Sequence, residues 1–242
     1  MDVGKYISKA SRTLGLVTVR GPMTFLLRPR YFNVPNLRRM PGGMLIASNH
    51  ESFFDPVLVG MGLPAPIYYL ARRSLFRVPV FGQIIYSVGA RPVSRDAVDS
   101  RSLRTMLKLL RGGQRLLMFP EGTRTRDGSL GTFKKGVAAV AARCGVPVLP
   151  VAVAGAREAW PRTEAVPRAG RTAVAYGQPL ETRGQDPEEL TARLRADVYR
   201  LRSYLRSYLG LDSEPATEMS AALSDGGRSP SAAGVRTVQD LG

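Results

Sequence analysis

Residues 44–56 read MLIASNHESFFDP. Met44–Ala47 is a short apolar run with strand character, and it leads directly into Ser48, Asn49 and His50. Polar groups at the carboxyl end of a strand lie where α/β folds build their sites. His50 is the sole histidine of the chain, and Asp55 follows it by five positions. On one regular helix that offset is about 140°. The two side chains therefore meet only if His50 lies in the loop and Asp55 in the first turn of the next helix. The carboxylate would then hold the imidazole proton on one nitrogen and leave the other free as a base. A purely architectural alternative has Ser52 capping that helix and Asp55 closing the capping box. It leaves His50 without a role.

Outward from this stretch, strand and helix patterns alternate. Ile67–Leu70, Ile84–Val88, Arg115–Phe119, Val146–Val153 and Thr172–Tyr176 read as strands, the fourth interrupted by Pro150. Ser102–Leu110 places Leu103, Met106, Leu107 and Leu110 on one helical face, and Gly112–Gly113 ends it. Val137–Arg143 is an alanine-rich helix. Glu188–Leu209 is a long amphipathic one, with Leu190, Leu194, Val198, Leu201 and Leu205 on its apolar face. Its arginine-rich remainder suits either solvent or a membrane. The alternation predicts a single α/β domain with helices on both sides of a sheet.

Composition narrows the chemistry. The 242 residues hold one cysteine, Cys144, and one histidine, which excludes a disulfide framework and any multi-thiolate or multi-histidine metal centre. Lys and Arg total 35 against 19 Asp and Glu, a net charge of +16. Such a surface favours anions: nucleic acid, anionic lipid headgroups or phosphorylated substrates. No apolar run approaches the ~20 residues needed to cross a bilayer, and no secretory signal core follows Met1–Lys9. From about Asp212 to Gly242 the chain turns rich in Ser, Ala, Gly and acids, without an aromatic residue, and reads as a disordered tail.

Residues 1–40 form a basic, partly apolar front end. Arg20, Gly21 and Pro22 interrupt it, so two short amphipathic helices are expected to meet near Gly21–Pro22. Apolar faces bordered by arginine suit an anionic membrane interface. A helical hairpin packed on the protein's own core fits the same pattern.

Three further clusters carry polar chemistry. Phe119-Pro120-Glu121-Gly122-Thr123-Arg124-Thr125-Arg126 follows a strand. Its glycine, hydroxyls and arginines can present N–H groups and guanidinium forks to an oxyanion, or simply form a polar turn. Gly89–Arg95 holds Arg91 and Arg95, and Lys134–Lys135 follows Phe133; basic loops of this kind are often merely solvated. No Gly-x-Ser-x-Gly elbow exists. A base and carboxylate without a protein nucleophile suit direct deprotonation of a substrate hydroxyl or of water.

Taken together, these elements resemble the glycerolipid acyltransferases, and most of all the 1-acylglycerol-3-phosphate acyltransferases. Four ordered blocks carry the resemblance: Asn-His-x-Ser-x-x-Asp at 49–55, Gly89 with Arg95, Phe-Pro-Glu-Gly-Thr-Arg at 119–124, and Val-Pro-Val-Leu-Pro-Val at 146–151. It covers roughly residues 15–210. Arg91-Pro92-Val93 departs from it, because the family more often has apolar residues there. The resemblance implies a glycerol-3-phosphate (1)-acyltransferase-like fold: an acyltransferase domain over 41–211 with a mixed, mostly parallel central sheet flanked by helices, preceded by a membrane-associating segment over 1–40.

It also implies an activity, the transfer of a fatty acyl group from acyl-CoA or acyl carrier protein to the sn-2 hydroxyl of lysophosphatidic acid. Carried over residue by residue, His50 is the general base and Asp55 its orienter. Arg95 and Arg124 hold the phosphate, with Gly122 offering an N–H and Lys134 nearby. Glu121 and Thr123 shape that loop or assist binding. No cofactor or metal is required, no nucleic acid is expected, and the implied location is the cytoplasmic face of the membrane, peripheral or monotopic. Alternatives keep the chemistry with glycerol 3-phosphate, a lyso-ornithine lipid or another lysophospholipid as acceptor. A rival of another class is a non-catalytic basic module binding membrane or nucleic acid, although no nucleic-acid motif is present.

Overall fold

Among the described residues seven strands share one sheet: β1 (Arg30–Phe32), β2 (Met44–Ser48), β3 (Ile67–Arg72), β4 (Ala90–Val93), β5 (Arg115–Met118), β6 (Val148–Ala154) and β7 (Ala173–Tyr176). The computed structural model describes residues 9–37, 40, 42–93 and 100–211. Arg95 and the residues from 212 onward, expected to be a disordered tail, lie outside the described residues. The strand order is β1-β7-β6-β2-β5-β3-β4. The block β6-β2-β5-β3-β4 is parallel throughout, while β7 pairs antiparallel with β6 and parallel with β1. The sheet is mixed and mostly parallel. Buried on both faces, β2 and β6 carry the near-continuous apolar sequence that this position demands.

Helices cover both faces. On one lie α4 (Ser100–Arg111), α5 (Gly136–Cys144) and α7 (Pro187–Leu209), burying Met106, Leu110, Val137, Leu190, Leu194, Val198 and Leu205. On the other, α1 (Lys9–Leu27), α2 (Asp55–Met61), α3 (Phe81–Ser87) and α6 (Ala156–Ala159) bury Met23, Leu27, Leu58, Val59, Ile85 and Ala156. Each fully buried leucine contributes about 2 kcal/mol of transfer free energy. At its start α7 is capped by the Asp186 carboxylate, which accepts from the Glu188 and Glu189 N–H groups, and Gly210 closes it at φ 70°.

The structure corrects four local expectations. Among its described residues the front end holds one helix, α1, with Pro22 inside it, in place of the two expected to meet there. Gly21 and Pro22 fall on its exposed side while Met23 and Leu27 anchor its end in the core, so the packed face loses nothing to the proline. Residues 30–32 of the same segment form a sheet strand, which ties the front end to the α/β domain. Residues 84–87, expected in a strand, belong to α3. Ile85 and Val88 are buried at helical spacing, and a Cβ at Gly82 would come within 2.7 Å of the Phe76 carbonyl. The strand comes one step later, at β4. Finally, Pro150 does not interrupt β6. Its carbonyl accepts from the Gly177 N–H at 2.8 Å, so its missing donor points just past the end of β7, where the ladder stops.

Candidate active site

Register decides which loops meet. Ala47 of β2 pairs with Met118 of β5, so the segments after these parallel strands leave the sheet side by side at its carboxyl edge. One carries His50 and the other carries Phe119–Arg126.

Asn49 turns the first loop. Its side-chain amide donates to the Val153 carbonyl at 2.9 Å and accepts from the Val153 N–H at 2.8 Å, so a side chain extends the β2–β6 ladder by one step. His50 comes next, and Asp55 opens α2. His50 Nδ1 lies 2.7 Å from Asp55 Oδ2, and that oxygen also accepts from the N–H groups of Glu51 at 2.7 Å and Ser52 at 2.8 Å. An oxygen that accepts two amide hydrogens is a carboxylate oxygen, so Nδ1 carries the proton it shares and Nε2 is left with the lone pair. The Asp55 side chain is fully buried, whereas His50 keeps 19% of its surface exposed. The orienting acid is hidden and the base can reach a substrate. Ser52 is not the helix cap, a position that falls at Phe54: the Ser52 Oγ donates to the Trp160 carbonyl at 3.1 Å and accepts from the Phe54 N–H at 3.4 Å.

The second loop clamps His50 by its backbone. The His50 N–H donates to Glu121 Oε1 at 2.7 Å, its carbonyl accepts from the Thr125 N–H at 2.8 Å, and its ring stacks on Phe119 with centroids 3.9 Å apart. Glu121 Oε2 accepts from the Gly131 N–H at 3.0 Å. With both oxygens engaged by main-chain donors, Glu121 holds the loops together. Burial outweighs these hydrogen bonds and raises its pKa above the usual carboxylate range.

Gly122 does not offer the free N–H that was expected of it. That group donates to the Phe119 carbonyl at 3.0 Å, closing the turn. What the position requires is glycine itself, at φ +72° and with Lys134 Nζ 2.9 Å from where a Cβ would stand. Lys134 is thereby placed over the loop. Thr123 is exposed, and its Oγ1 accepts from Arg162 Nη1 at 3.4 Å.

Arg124 stacks on Phe53, its Cζ 3.5 Å from the ring centroid, and its Nη1 is buried without a hydrogen-bond partner. Burial and then the charge of Arg162 lower its pKa, with Arg72 adding to the same effect. Guanidinium groups crowded together with an unused N–H form a site for an anion.

Several supporting residues had no role assigned from sequence. Asn49 and Phe119 stood in the motif blocks without one, and Glu51 and Arg202 were not singled out. Glu51 is buried beneath the His50 loop, with Arg202 Nη2 of α7 at 3.5 Å and both side chains 1% exposed. Burial pushes the Glu51 carboxyl up to about 8. Arg202 also donates to the Gly128 carbonyl, and Arg195 to the Gly131 carbonyl at 3.4 Å. Part of the arginine-rich side of α7 thus grips the active-site loops. Arg91, the departure from the family pattern, is buried between the rings of Tyr68 and Tyr86, 4.6 and 4.7 Å from their centroids. The Cys144 thiol is half-buried at the end of α5, and burial raises its pKa.

Fold and site together define an α/β protein with an imidazole–carboxylate pair beside an arginine cluster at the carboxyl edge of its sheet. The chain belongs to the acyltransferase family: the family model described as Acyltransferase matches residues 31–154. Its relatives include a chloroplastic 1-acyl-sn-glycerol-3-phosphate acyltransferase of Arabidopsis thaliana, 32% identical over 156 residues, which is 61% of this chain and 43% of that one. A lyso-ornithine lipid O-acyltransferase of Pseudomonas aeruginosa is 36% identical over 123 residues, 50% of this chain and 47% of that one. The match thus spans less than half the length of these curated relatives. Among solved structures, the 1-acyl-sn-glycerophosphate acyltransferase PlsC from Thermotoga maritima aligns with a TM-score of 0.67 at 25% identity, covering 85% of this chain and 81% of that one.

Proposed function

We propose that this chain transfers a fatty acyl group from a thioester, acyl-CoA or acyl carrier protein, to the sn-2 hydroxyl of lysophosphatidic acid, yielding phosphatidic acid for phospholipid synthesis. The observation that carries the reading is the His50–Asp55 contact of 2.7 Å, made to a carboxylate oxygen that two backbone amides already hold in place. His50 Nε2 takes the hydroxyl proton as the oxygen attacks the thioester carbonyl. The tetrahedral intermediate expels the thiolate, which receives that proton from the imidazolium. Asp55 stabilises the imidazolium without taking the proton. Arg124 holds the acceptor phosphate, with Lys134 beside it, and Arg95 is assigned to the same anion by its place in the family pattern. Glu121 keeps base and anion site in register.

The acceptor is a lipid, so the reaction belongs at a membrane surface. We place the chain on the cytoplasmic face, held peripherally by α1 and its arginines. Among the described residues no helix is long and apolar enough to cross a bilayer.

Thiol release from acyl-CoA and from acylated carrier protein, with lysophosphatidic acid present, tests the chemistry. His50→Ala should lower turnover by ~10²–10⁴-fold. Wild-type turnover in that variant would refute the assignment. A second acceptor, lyso-ornithine lipid, is favoured by the named activity of the Pseudomonas aeruginosa relative. An acceptor panel with a single donor separates the two.

A further inference from the structure

Asp2 is the only acidic residue before Glu51, and there is none from Pro56 through Arg95. The two acids in between, Glu51 and Asp55, are buried. The described surface built by α1–α3 and β1–β4 therefore presents no carboxylate to solvent, while Arg20, Arg28, Arg30, Arg72, Arg73 and Arg77 are exposed on it. Exposed large apolar side chains occur on α1 and just before α3. Val17 and Phe25 on α1 are 65% and 85% exposed, and Val78 and Val80 are 50% and 67% exposed.

The second pair occupies an unusual turn. A 3₁₀ segment, Arg73–Arg77, follows β3 and passes through Val78, Pro79 and Val80 into α3. Val80 has φ 64° and ψ −57°, a conformation that disfavours a β-branched residue by roughly 1–3 kcal/mol. The backbone is held there by α3, where the Gly82 N–H donates to the Val78 carbonyl and the Ile84 N–H to the Val80 carbonyl, each at 2.9 Å. Packing within the chain returns little to a side chain two-thirds exposed. The turn shares a frame with α1, because α3 packs on both: Gly82 sits against the Phe76 backbone, and Gly15 of α1 against Ser87.

We propose that the turn Arg73–Val80 is a second membrane-docking element, inserting Val78 and Val80 between anionic lipid headgroups while Arg73 and Arg77 engage their phosphates. The proposal deepens the membrane reading above and rests on it. Apolar tips rimmed by arginine match the interfacial region of a bilayer, and each arginine near an anionic surface contributes ~1 kcal/mol. Single-stranded nucleic acid is held on exposed aromatic stacking platforms, whereas the tip of this turn, Val78 and Val80, is aliphatic.

The test is co-sedimentation of the full chain with vesicles of phosphatidylcholine alone or mixed with phosphatidylglycerol. Val78→Ser with Val80→Ser should weaken binding to the mixed vesicles at least tenfold. Arg73→Gln with Arg77→Gln should weaken it by roughly 30-fold at low salt, and the difference should vanish at high salt. Val80→Gly relieves the backbone, so it should weaken binding without lowering the thermal midpoint, a combination that misfolding does not produce. Turn variants that bind as the wild type does overturn the proposal. So does a wild-type chain that takes up short RNA in preference to the mixed vesicles. Turnover of a monomeric short-chain lysophosphatidic acid reports separately on the chemistry and should be unchanged in every turn variant. Its absence in the wild type would refute lysophosphatidic acid as the acceptor whatever the vesicles show.

Discussion

At Asp55 a single oxygen receives the imidazole and two backbone amides, so the carboxylate is fixed before any substrate arrives. Replacement by asparagine keeps the size but removes the charge that stabilises the imidazolium. Asp55→Asn should therefore lower kcat by on the order of 10²–10⁴-fold with a small change in KM, as read by thiol release. The neighbouring Glu51 makes a different prediction. Its folded pKa is raised to about 8 from an ordinary 4.5, so between those values the folded chain holds a proton that the unfolded chain has released. The resulting stability is complete below about pH 4.5 and is lost as pH rises through 8. Thermal midpoints of the wild type should fall from pH 5 to pH 8.5 relative to those of Glu51→Gln. Parallel curves would mean that Arg202 keeps the carboxyl ionised throughout.

Between elements, one side-chain amide carries the β2–β6 ladder a step beyond its last backbone pair, Ser48 with Val151. Asn49→Ala would leave the Val153 N–H and carbonyl without their partners, at about 1–3 kcal/mol for each buried group. The midpoint in urea should drop accordingly, and activity should fall with it, because His50 is the next residue. Element assignment also shows how sequence signals mislead. Pro22 and Pro150 mark breaks by local rules, yet both sit where a missing donor is harmless: on an exposed helical side and past the end of a ladder. Ile84 and Ile85 favour a strand by propensity, but burial of Ile85 and Val88 at helical spacing decides for α3. The long helix α7 was legible from its leucines. The task of its arginines was not, because Gly128, Gly131 and Glu51 are distant in sequence.

Across the whole molecule, charge is distributed unevenly. Acids are absent from the exposed, described surface up to β4, and they return in the second half, where Glu158 pairs with Arg206 and Lys135 with Glu188. Membrane retention that depends on such a surface must be screened by salt. The membrane-bound fraction of expressed protein should be released by about 0.5 M salt, and a pellet fraction resistant to both high salt and carbonate would contradict peripheral attachment. The sequence by itself determined the α/β class, the central apolar strands such as β2 and β5, and the one arrangement in which His50 and Asp55 can meet, because these depend on periodicity and on residues within one or two turns of chain. Only the tertiary structure decided that Glu121 is a clamp, that the Gly122 N–H is spent in a turn and that Arg202 lies under the active-site loop. Each of those roles depends on which groups distant in sequence the folded sheet brings within hydrogen-bonding or ion-pairing reach, about 3 Å for a hydrogen bond, and local spacing carries no record of that.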